Sequence, residues 1–511
     1  MIALVPLLPL LAAAWIGVGM LGGWNRGESG ERSTARIAVW GALLALLLLL
    51  GLDLVALIRG APGQVVLGDW ITSGDYRVRI SFTLDPLGLS LATLVALLCL
   101  LTLRFSVNYL HREAGFQRFF MVMSLFTGAM LLIVTAGNAV LTFAGWELAG
   151  VSSYLLIAYA YERPMAGINA TRAFVTNRIG DAGFVLGIAL AFMWLEGVEW
   201  PQLAGSHPDT LTAGLIGFGF LLAALAKSAQ VPFSPWIARA LEGPTPSSAV
   251  FYGAVMVHAG VYLALRLQPL LEQAPLLMAT MTALGFATAL YGWLSGLVQT
   301  DVKSSLMFST IAQVGLMFLE CGLGWFTLAA WHLALHAMLR AYQFLHAPAL
   351  VQAAKQPARP APAWLRRRPG LYTAAMMRFW LDPLADWLLA HPTRELAQDL
   401  QDFDQRVVNR MVGLPSQGDA VASLAEREAQ KQGRVVMDGD IGRGRGVVGR
   451  FMEWVAARLH WFEEHLVLRG GGEGLKNAID LVGGYLIHVE QLLSQPRYLL
   501  LIVTVTFVVI L

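Results

Sequence analysis

The sequence predicts an all-α membrane protein that crosses the bilayer many times. Of its 511 residues, 56% are hydrophobic and 14% are charged, a composition that excludes an ordinary soluble fold. Apolar windows of about 17 to 25 residues, the length that a helix needs to cross the hydrocarbon core, recur along the chain. The net charge of +2 gives no nucleic-acid signal. Two cysteines without metal-ligand spacing predict neither a disulfide framework nor a metal site.

Twelve apolar windows are candidate transmembrane helices. They cover residues 2–22, 37–58, 86–109, 117–135, 137–160, 172–195, 211–236, 243–267, 275–298, 302–320, 324–347 and 497–511. Lys and Arg concentrate after the odd-numbered windows, which by the positive-inside rule places the N-terminus outside. We therefore expect a transmembrane core over 1–350, a cytoplasmic region over 351–495 and a last transmembrane helix over 496–511.

Two further segments have their own patterns. Between the second and third windows, β-branched and aromatic residues alternate around Ser73–Gly74, which predicts a small β-hairpin on the outer face. Apolar residues recur at helical spacing among charges over 370–410 and 448–495. This spacing indicates amphipathic helices that lie along a membrane or a partner, and a packed cytoplasmic helical tail is the equal alternative. Residues 413–445 are expected to be a linker.

Three ionisable residues lie inside apolar windows: Glu147, Asp181 and Lys227. A charge near the bilayer centre costs roughly 2.5 to 3.5 kcal/mol on insertion scales, so an acid and a base in neighbouring spans indicate a proton or ion path. Gly145 and Gly150 allow a neighbouring helix to approach Glu147 closely. The alternatives are a structural buried acid, and a lysine that reaches from its helix end to the interface.

Prolines predict breaks in two successive helices. Pro232 and Pro235 follow Lys227, and Pro244 and Pro246 lie in the next span. Irregular backbone at membrane depth is tolerated only against protein or water. Two interrupted helices in succession therefore predict a hydrated cavity near Lys227.

Histidines extend the polar set. His332, His336 and Arg340 recur at i, i+4 and i+8, which places them on one face of a helix. Two histidines one turn apart could bind zinc, but no nearby acid or cysteine is expected to complete the ligand set, and the arginine disfavours a cation. A proton relay is the better hypothesis. His258 lies in another apolar run, where a satisfied core histidine and a relay residue are equally good interpretations.

Several runs together resemble a known family, the proton-conducting antiporter-like membrane subunits of respiratory complex I and of Mrp cation/proton antiporters. The runs are GWELAGVSSYLL, NRIGDAGF, AKSAQVPFSPWIARALEGPTPSSAV, VMVHAGVYL, TDVKSSLMFSTIAQVGLMF and HLALHAMLRAYQFL, within residues 80–347. In that family the glutamate of the GWE run pairs with the lysine of the KSAQ run, and the aspartate of the NRxGD run tunes the pair. The resemblance therefore implies a Glu147–Lys227 pair tuned by Asp181.

The chain departs from the family pattern at two positions. Tyr252 stands where the family usually has a histidine after the GPTP run, so a rerouted relay is expected. Arg340 stands where respiratory subunits have a lysine. Those subunits continue through several further spans after this run, and we expect this chain to lack them. Glu242, Asp301 and Lys303 are secondary candidates. Asp301 and Lys303 are interpreted as structural, with Asp301 as a helix cap.

The HAMLRAYQFLHAPALV run and the helical tail are similar instead to the membrane subunit of DAB-type dissolved inorganic carbon accumulation complexes. That resemblance implies a bacterial inner membrane and a large cytoplasmic, zinc-bearing, carbonic-anhydrase-like partner. Ion flow through this chain, which itself needs no cofactor, would energise hydration of CO2 to bicarbonate. The alternatives are a proton-pumping subunit of a complex I-like oxidoreductase or hydrogenase, an Mrp antiporter component, and a membrane anchor.

Overall fold

The computed structural model describes residues 2–74, 76–347 and 360–404, together with positions 408, 454 and 458. Its internal contacts separate a unit that extends to Trp387 from one that begins at Leu388. The predicted linker at 413–445 and last helix at 496–511 lie outside the described residues, as does nearly all of the predicted helical stretch 448–495.

The first half of the core is a series of long helices interrupted by one hairpin. Its elements are Leu4–Gly22 (α1), Gly27–Arg59 (α2), Gly63–Ser73 (β1), Tyr76–Leu84 (β2), Pro86–Tyr109 (α3), Phe116–Thr135 (α4), Ala139–Ile157 (α5), Pro164–Leu195 (α6), Trp200–Gly205 (α7) and Thr210–Lys227 (α8).

The second half contains shorter pieces. Its helices are Pro235–Arg239 (α9), Thr245–Ser248 (α10), Ala259–Arg266 (α11), Gln268–Leu271 (α12), Pro275–Gly296 (α13), Val302–Gly322 (α14), Phe326–His346 (α15), Ala363–Arg366 (α16), Pro369–Met376 (α17), Leu381–Ala385 (α18) and His391–Phe403 (α19).

Ten helical segments of the described chain are long and apolar enough to cross a membrane, which confirms the predicted polytopic all-α membrane protein. They match ten of the twelve predicted windows. The eleventh window corresponds to α15, which is 21 residues long but is less apolar because it carries His332, His336 and Arg340.

The hairpin also agrees with the prediction. Strands β1 and β2 pair antiparallel from Gly63 opposite Leu84 to Ser73 opposite Tyr76. Gly74 in the turn has φ of 59°, a left-handed conformation that glycine adopts without steric cost. The hairpin thus closes where the alternating pattern changes direction.

Acidic and amide side chains cap several helices. Asp301 accepts a hydrogen bond from the backbone N–H of Ser304 at 2.8 Å, which confirms its interpretation as a cap of α14. Asn138 caps α5 in the same way through Leu141 at 2.8 Å. These caps fix where α14 and α5 begin.

Glycine residues let two neighbouring helices contact α8 closely. A Cβ atom added to Gly183 of α6 would lie 2.7 Å from the carbonyl oxygen of Gly219 in α8. A Cβ atom added to Gly260 of α11 would lie 2.2 Å from the carbonyl oxygen of Ala224. Both contacts admit only glycine, and they hold α6 and α11 against the helix that ends at Lys227.

Both predicted interruptions exist, but the second lies further along the chain than its prolines suggest. Helix α8 ends at Lys227 and helical structure resumes at Pro235, as expected. Pro244 and Pro246 instead lie where α10 begins, because proline fits the first helical turn. The irregular backbone of this span is a π-helical turn over Ala249–Ala254 followed by a 3-10 turn over Met256–His258.

An ion pair joins the start of α3 to the end of α11. Arg266 donates from Nη2 to Asp85 Oδ1 at 2.8 Å and from Nε to the Tyr262 hydroxyl at 2.8 Å. Burial acts to raise the pKa of Asp85, but the hydrogen bonds and charge of Arg266 outweigh it and hold that pKa below its ordinary value of 3.8. The pair therefore stabilises the fold above about pH 4, and this contribution is lost as the pH falls through the lowered pKa.

Asp85→Asn is expected to lower the free energy of unfolding at pH 7 by about 1 to 3 kcal/mol, because it weakens hydrogen bonds to a charged group. It should also reduce the loss of stability on acidification below pH 4. Thermal unfolding in detergent at pH 7 and at pH 3 measures both effects. Glu28→Gln, which removes an exposed pair with Arg112, is the control and should change neither. An acid-induced loss of equal size in Asp85→Asn and the parent protein would contradict the assignment.

Candidate functional site

The first polar cluster is formed by α5 and α6. Arg178 contacts Glu147 Oε2 of α5, and its Nη2 lies 2.7 Å from Asp181 Oδ2 in a second ion pair. The spacing of three residues between Arg178 and Asp181 places both on the same side of α6. Glu147 and Asp181 are each 4% exposed, so one guanidinium joins two buried carboxylates.

Lys227 lies beside this cluster and is 1% exposed. Its Nζ donates to the carbonyl oxygen of Trp146 at 3.4 Å and lies 5.0 Å from the centroid of that ring. Nζ forms no ion pair within 4.0 Å among the described residues. A Cβ atom added to Gly150 would lie 3.0 Å from Arg178 Nη2 and 3.5 Å from Lys227 Nζ, so both cations converge on one glycine of α5.

The direct Glu147–Lys227 pair that the resemblance implies is therefore not formed in this structure. Glu147 is paired instead with Arg178, whose planar, forked guanidinium contacts two carboxylates at once. Two carboxylates and two cations make the cluster formally neutral. Lys227 is consequently the cation of the cluster that lacks a carboxylate partner within the described chain.

Trp146 connects the members of the cluster. Its indole N–H donates to Asp181 Oδ1 at 2.7 Å, while its carbonyl oxygen accepts from Lys227. The predicted tuning residue, Asp181, thus contacts Arg178 and Trp146, and Trp146 contacts the lysine.

Sequence reasoning missed Arg178, although the signal was available. Arg178 lies inside the predicted span 172–195, three residues before Asp181. An arginine inside a membrane span needs a partner as much as a buried acid does. With Arg178 included, the predicted set of ionisable residues in the apolar windows around Lys227 would have contained two acids and two bases.

The second cluster lies between α11, α14 and α15. His258 Nε2 is 2.9 Å from His336 Nδ1, and Arg340 Nε donates to His336 Nε2 at 3.4 Å. Arg340 also donates from Nη2 to the Ser309 hydroxyl at 2.8 Å. The two histidines and Arg340 are each at most 6% exposed. The structure thus brings the predicted relay residue His258 onto the same face as His336 and Arg340.

The hydrogen bonds assign the histidine protons. Arg340 can only donate, so Nε2 of a neutral His336 accepts and its proton lies on Nδ1. That proton is donated to Nε2 of His258, which leaves the His258 proton on Nδ1. The chain of donors therefore runs from Arg340 through His336 to His258.

A short backbone link joins the two clusters. The Ser228 hydroxyl donates to the carbonyl oxygen of Val257 at 2.6 Å. Ser228 follows Lys227 in the sequence, and Val257 precedes His258. His258 and Tyr262 also line a cavity of about 20 Å³, otherwise bounded by apolar side chains. This volume is sufficient for one water molecule. The residue that follows Lys227 thus contacts the residue that precedes His258.

His332 has an acidic partner that the sequence interpretation missed. Its Nδ1 lies 2.9 Å from Glu320 Oε1, and its Nε2 lies 2.8 Å from Gln313 Oε1. The sequence interpretation did not include this acid, which reaches His332 because Glu320 near the end of α14 faces the start of α15. The rings of His332 and His336 are perpendicular, with centroids 6.2 Å apart.

The secondary candidates lie elsewhere. Lys303 donates to the Thr245 hydroxyl at 2.5 Å. Glu242 pairs with Arg163 at 2.9 Å. The side chain of Tyr252 is outside the described part of the structure.

The long apolar helices, the broken span after Lys227 and the buried charges define a class, the polytopic membrane proteins with an internal polar axis. Residues 136–361 match the family model described as "NADH:quinone oxidoreductase/Mrp antiporter, TM". Residues 70–120 match the model "NADH-Ubiquinone oxidoreductase (complex I), chain 5 N-terminus". Residues 70–120 and 136–361 therefore belong to the antiporter-like subunit family of complex I and Mrp antiporters.

Curated relatives share about a third of their residues with this chain. NAD(P)H-quinone oxidoreductase subunit 5 of the Nephroselmis olivacea chloroplast is 35% identical over 357 residues, which are 68% of this chain and 55% of the relative. NAD(P)H-quinone oxidoreductase chain 5 of Synechocystis sp. is 34% identical over 351 residues, which are 67% of this chain and 51% of the relative. The chain thus spans about half the length of these relatives.

One solved structure has the same fold. It is the structure of the membrane-bound sulfane sulfur reductase, described as an archaeal respiratory membrane complex. The match has a TM-score of 0.59 and 22% identity, and it covers 67% of this chain and 70% of that chain. At this identity the likeness concerns the fold alone.

Proposed function

We propose that this chain conducts protons across the membrane as a subunit of a larger complex. The observation that carries the proposal is the set of buried ionisable groups on α5, α6, α8 and α15 and just before α11, whose two clusters are linked by the Ser228–Val257 hydrogen bond. Such groups are expensive to bury in a membrane and mark ion pathways. The family membership of the core supports the same function.

We propose that the amino group of Lys227 binds and releases the protons that move along this path. Charges 4 Å apart interact by about 4 kcal/mol at an effective dielectric constant of about 20, so loss of the ammonium proton shifts the balance among Arg178, Glu147 and Asp181. A membrane potential supplies about 2.3 kcal/mol per charge per 100 mV, which is of similar size. An applied potential can therefore bias the switch.

The histidine pair is poised to pass a proton toward Lys227. A proton that arrives from the α15 side binds Nε2 of His336, and the imidazolium then gives its Nδ1 proton to Nε2 of His258, so that one N–H bond breaks as another forms. His258 then releases its own Nδ1 proton, and both rings are neutral again. Each imidazole gains a proton on one nitrogen and loses one from the other, which is the ordinary chemistry of a histidine relay.

Replacing His336 by phenylalanine tests this function. The ring volume is retained but the exchangeable nitrogens are lost, so proton uptake by proteoliposomes containing the full chain is expected to fall by about 100-fold. A pH-sensitive dye inside the vesicles reports the flux under an imposed potential. Glu28→Gln, at the exposed start of α2, is the matched control and should conduct normally. Unchanged flux through folded His336→Phe would contradict the proposed path.

We propose a complex I-like assembly as the partner, because the curated relatives are named as NAD(P)H-quinone oxidoreductase subunits. The second candidate is inorganic carbon accumulation with a zinc-bearing, carbonic-anhydrase-like subunit. Arg340 in place of the family lysine favours it, as do the residues after 361, which lie outside both matched family models. We further propose a bacterial inner membrane, an external N-terminus and cytoplasmic residues 351–495, since the distribution of Lys and Arg supports this orientation.

Affinity purification of the tagged full chain from native membranes in mild detergent distinguishes these partners. Mass spectrometry is expected to identify redox subunits in the purified complex. A zinc-containing hydratase-like protein would instead establish the second candidate, and small antiporter subunits would indicate an Mrp assembly. Membranes with the untagged chain are the control for adventitious binding. The absence of cofactors in this chain stays a prediction, which metal analysis of the purified subunit tests.

A further inference from the structure

Glu320 is a partly buried acid with no role in the proton relay proposed above. It lies in the last turn of α14, and 13% of its side chain is exposed. Both carboxylate oxygens lie near Nδ1 of His332, at 2.9 and 3.1 Å. No other member of the two polar clusters contacts it among the described residues. Glu320 and His332 therefore form a pair of their own at this end of α14 and α15.

The pair can hold one proton in two positions. With Glu320 as a carboxylate and the Gln313 oxygen facing Nε2, both nitrogens of His332 donate, and the ring is an imidazolium. Transfer of the Nδ1 proton to the carboxylate breaks one N–H bond and forms one O–H bond. The result is a neutral acid that donates to a neutral imidazole. No other reactant is needed for this exchange.

The position of the pair connects it to the relay. His332 is one helical turn from His336, with ring centroids 6.2 Å apart, a gap that one water molecule can bridge. Glu320 lies 17 residues after Lys303 on the same helix, a rise of about 25 Å at 1.5 Å per residue. The hydrocarbon core is about 30 Å thick, so Glu320 and Lys303 lie near opposite membrane surfaces.

We propose that Glu320 and His332 are the proton-loading end of the path. Glu320 exchanges a proton with the adjacent aqueous phase and transfers it to Nδ1 of His332, and the imidazolium releases its Nε2 proton through a water molecule to Nε2 of His336. This inference rests on the proposed proton conduction and adds a terminal acid located within α14. The path then ends on residues of this chain, on the side of the membrane opposite Lys303.

Glu320→Gln in the full chain tests the proposal, because glutamine keeps the shape and a hydrogen bond but cannot release a proton. In proteoliposomes its proton flux is expected to fall by about tenfold or more. Glu320→Asp keeps an exchangeable proton and should retain more flux than Glu320→Gln. Glu28→Gln is the matched control for loss of an acid away from the path. Flux within twofold of the parent protein in Glu320→Gln would overturn the proposal.

A chemical probe provides a second measurement that does not depend on a variant. Dicyclohexylcarbodiimide reacts with protonated carboxyl groups in apolar surroundings, and peptide mass spectrometry locates the adduct. We expect an adduct on Glu320 of the parent protein and a parallel loss of flux. Modification of Glu320 with unchanged flux would overturn the loading role. If the parent protein conducts no protons at all, the proposed function itself is wrong. If the flux depends on Lys227 but is unchanged when Glu320 is replaced, only the loading role of Glu320 is wrong.

Discussion

Replacing Arg178 by methionine is expected to destabilise the protein by about 3 to 5 kcal/mol, the usual cost of removing one member of a buried ion pair. Methionine keeps much of the length of the side chain but leaves Glu147 and Asp181 without the guanidinium that joins them. Lys227 contacts neither carboxylate in the structure and cannot replace both contacts. Thermal unfolding of the purified protein in detergent measures the loss.

The double variant Arg178→Met with Glu147→Gln provides the control. Removing the negative charge of Glu147 relieves the uncompensated carboxylate, so the double variant is expected to recover part of the stability that Arg178→Met loses. Equal stability of Arg178→Met and the parent protein would show that Arg178 does not hold the cluster together. A double variant with the summed loss of its two parents would show that Arg178 and Glu147 act independently.

Replacing Lys227 by alanine is expected to reduce proton flux by about 100-fold or more. The change removes the cation that is proposed to exchange protons and leaves the cluster with a net negative charge. Proteoliposomes with an internal pH dye and an imposed potential measure the effect. Flux comparable to that of the parent protein would remove Lys227 from the path.

Lys227→Arg separates the charge of this residue from its proton exchange. Arginine keeps the cluster formally neutral but remains charged throughout the accessible pH range. We expect Lys227→Arg to be closer to the parent protein in thermal stability than Lys227→Ala and yet to conduct little. If Lys227→Arg conducts as well as the parent protein, Lys227 contributes charge alone.

The sequence predicts the membrane-spanning helices and the hairpin well because each of these elements depends on a pattern of residues that are close in sequence. A span needs a continuous apolar stretch, and the hairpin needs alternation around a turn, so both can be recognised without knowledge of neighbours. The buried acids and bases are also visible as charges in apolar windows. Helix ends are less predictable: Pro244 and Pro246 mark where α10 begins, and the distortion of that span comes after them.

The pairing of the charges is not local, which is why two contacts escaped the sequence interpretation. Arg178 lies close in sequence to Asp181, but its contact with Glu147 depends on how α5 and α6 pack. Glu320 is 12 residues from His332, and the turn between α14 and α15 brings the two side chains together. The resemblance assigns roles to Glu147, Lys227 and Asp181 alone: Arg178 lies inside the NRIGDAGF run but receives no role, and Glu320 lies just beyond the end of the TDVKSSLMFSTIAQVGLMF run.

The central claim is that the cluster around Lys227 and the cluster around His336 are successive parts of one proton path. Flux measured in parallel for Lys227→Ala, His336→Phe and the double variant tests it most directly. A single path predicts that each single variant alone lowers the flux to that of the double variant. Two separate paths would instead leave substantial flux in each single variant, with full loss only when both residues are replaced.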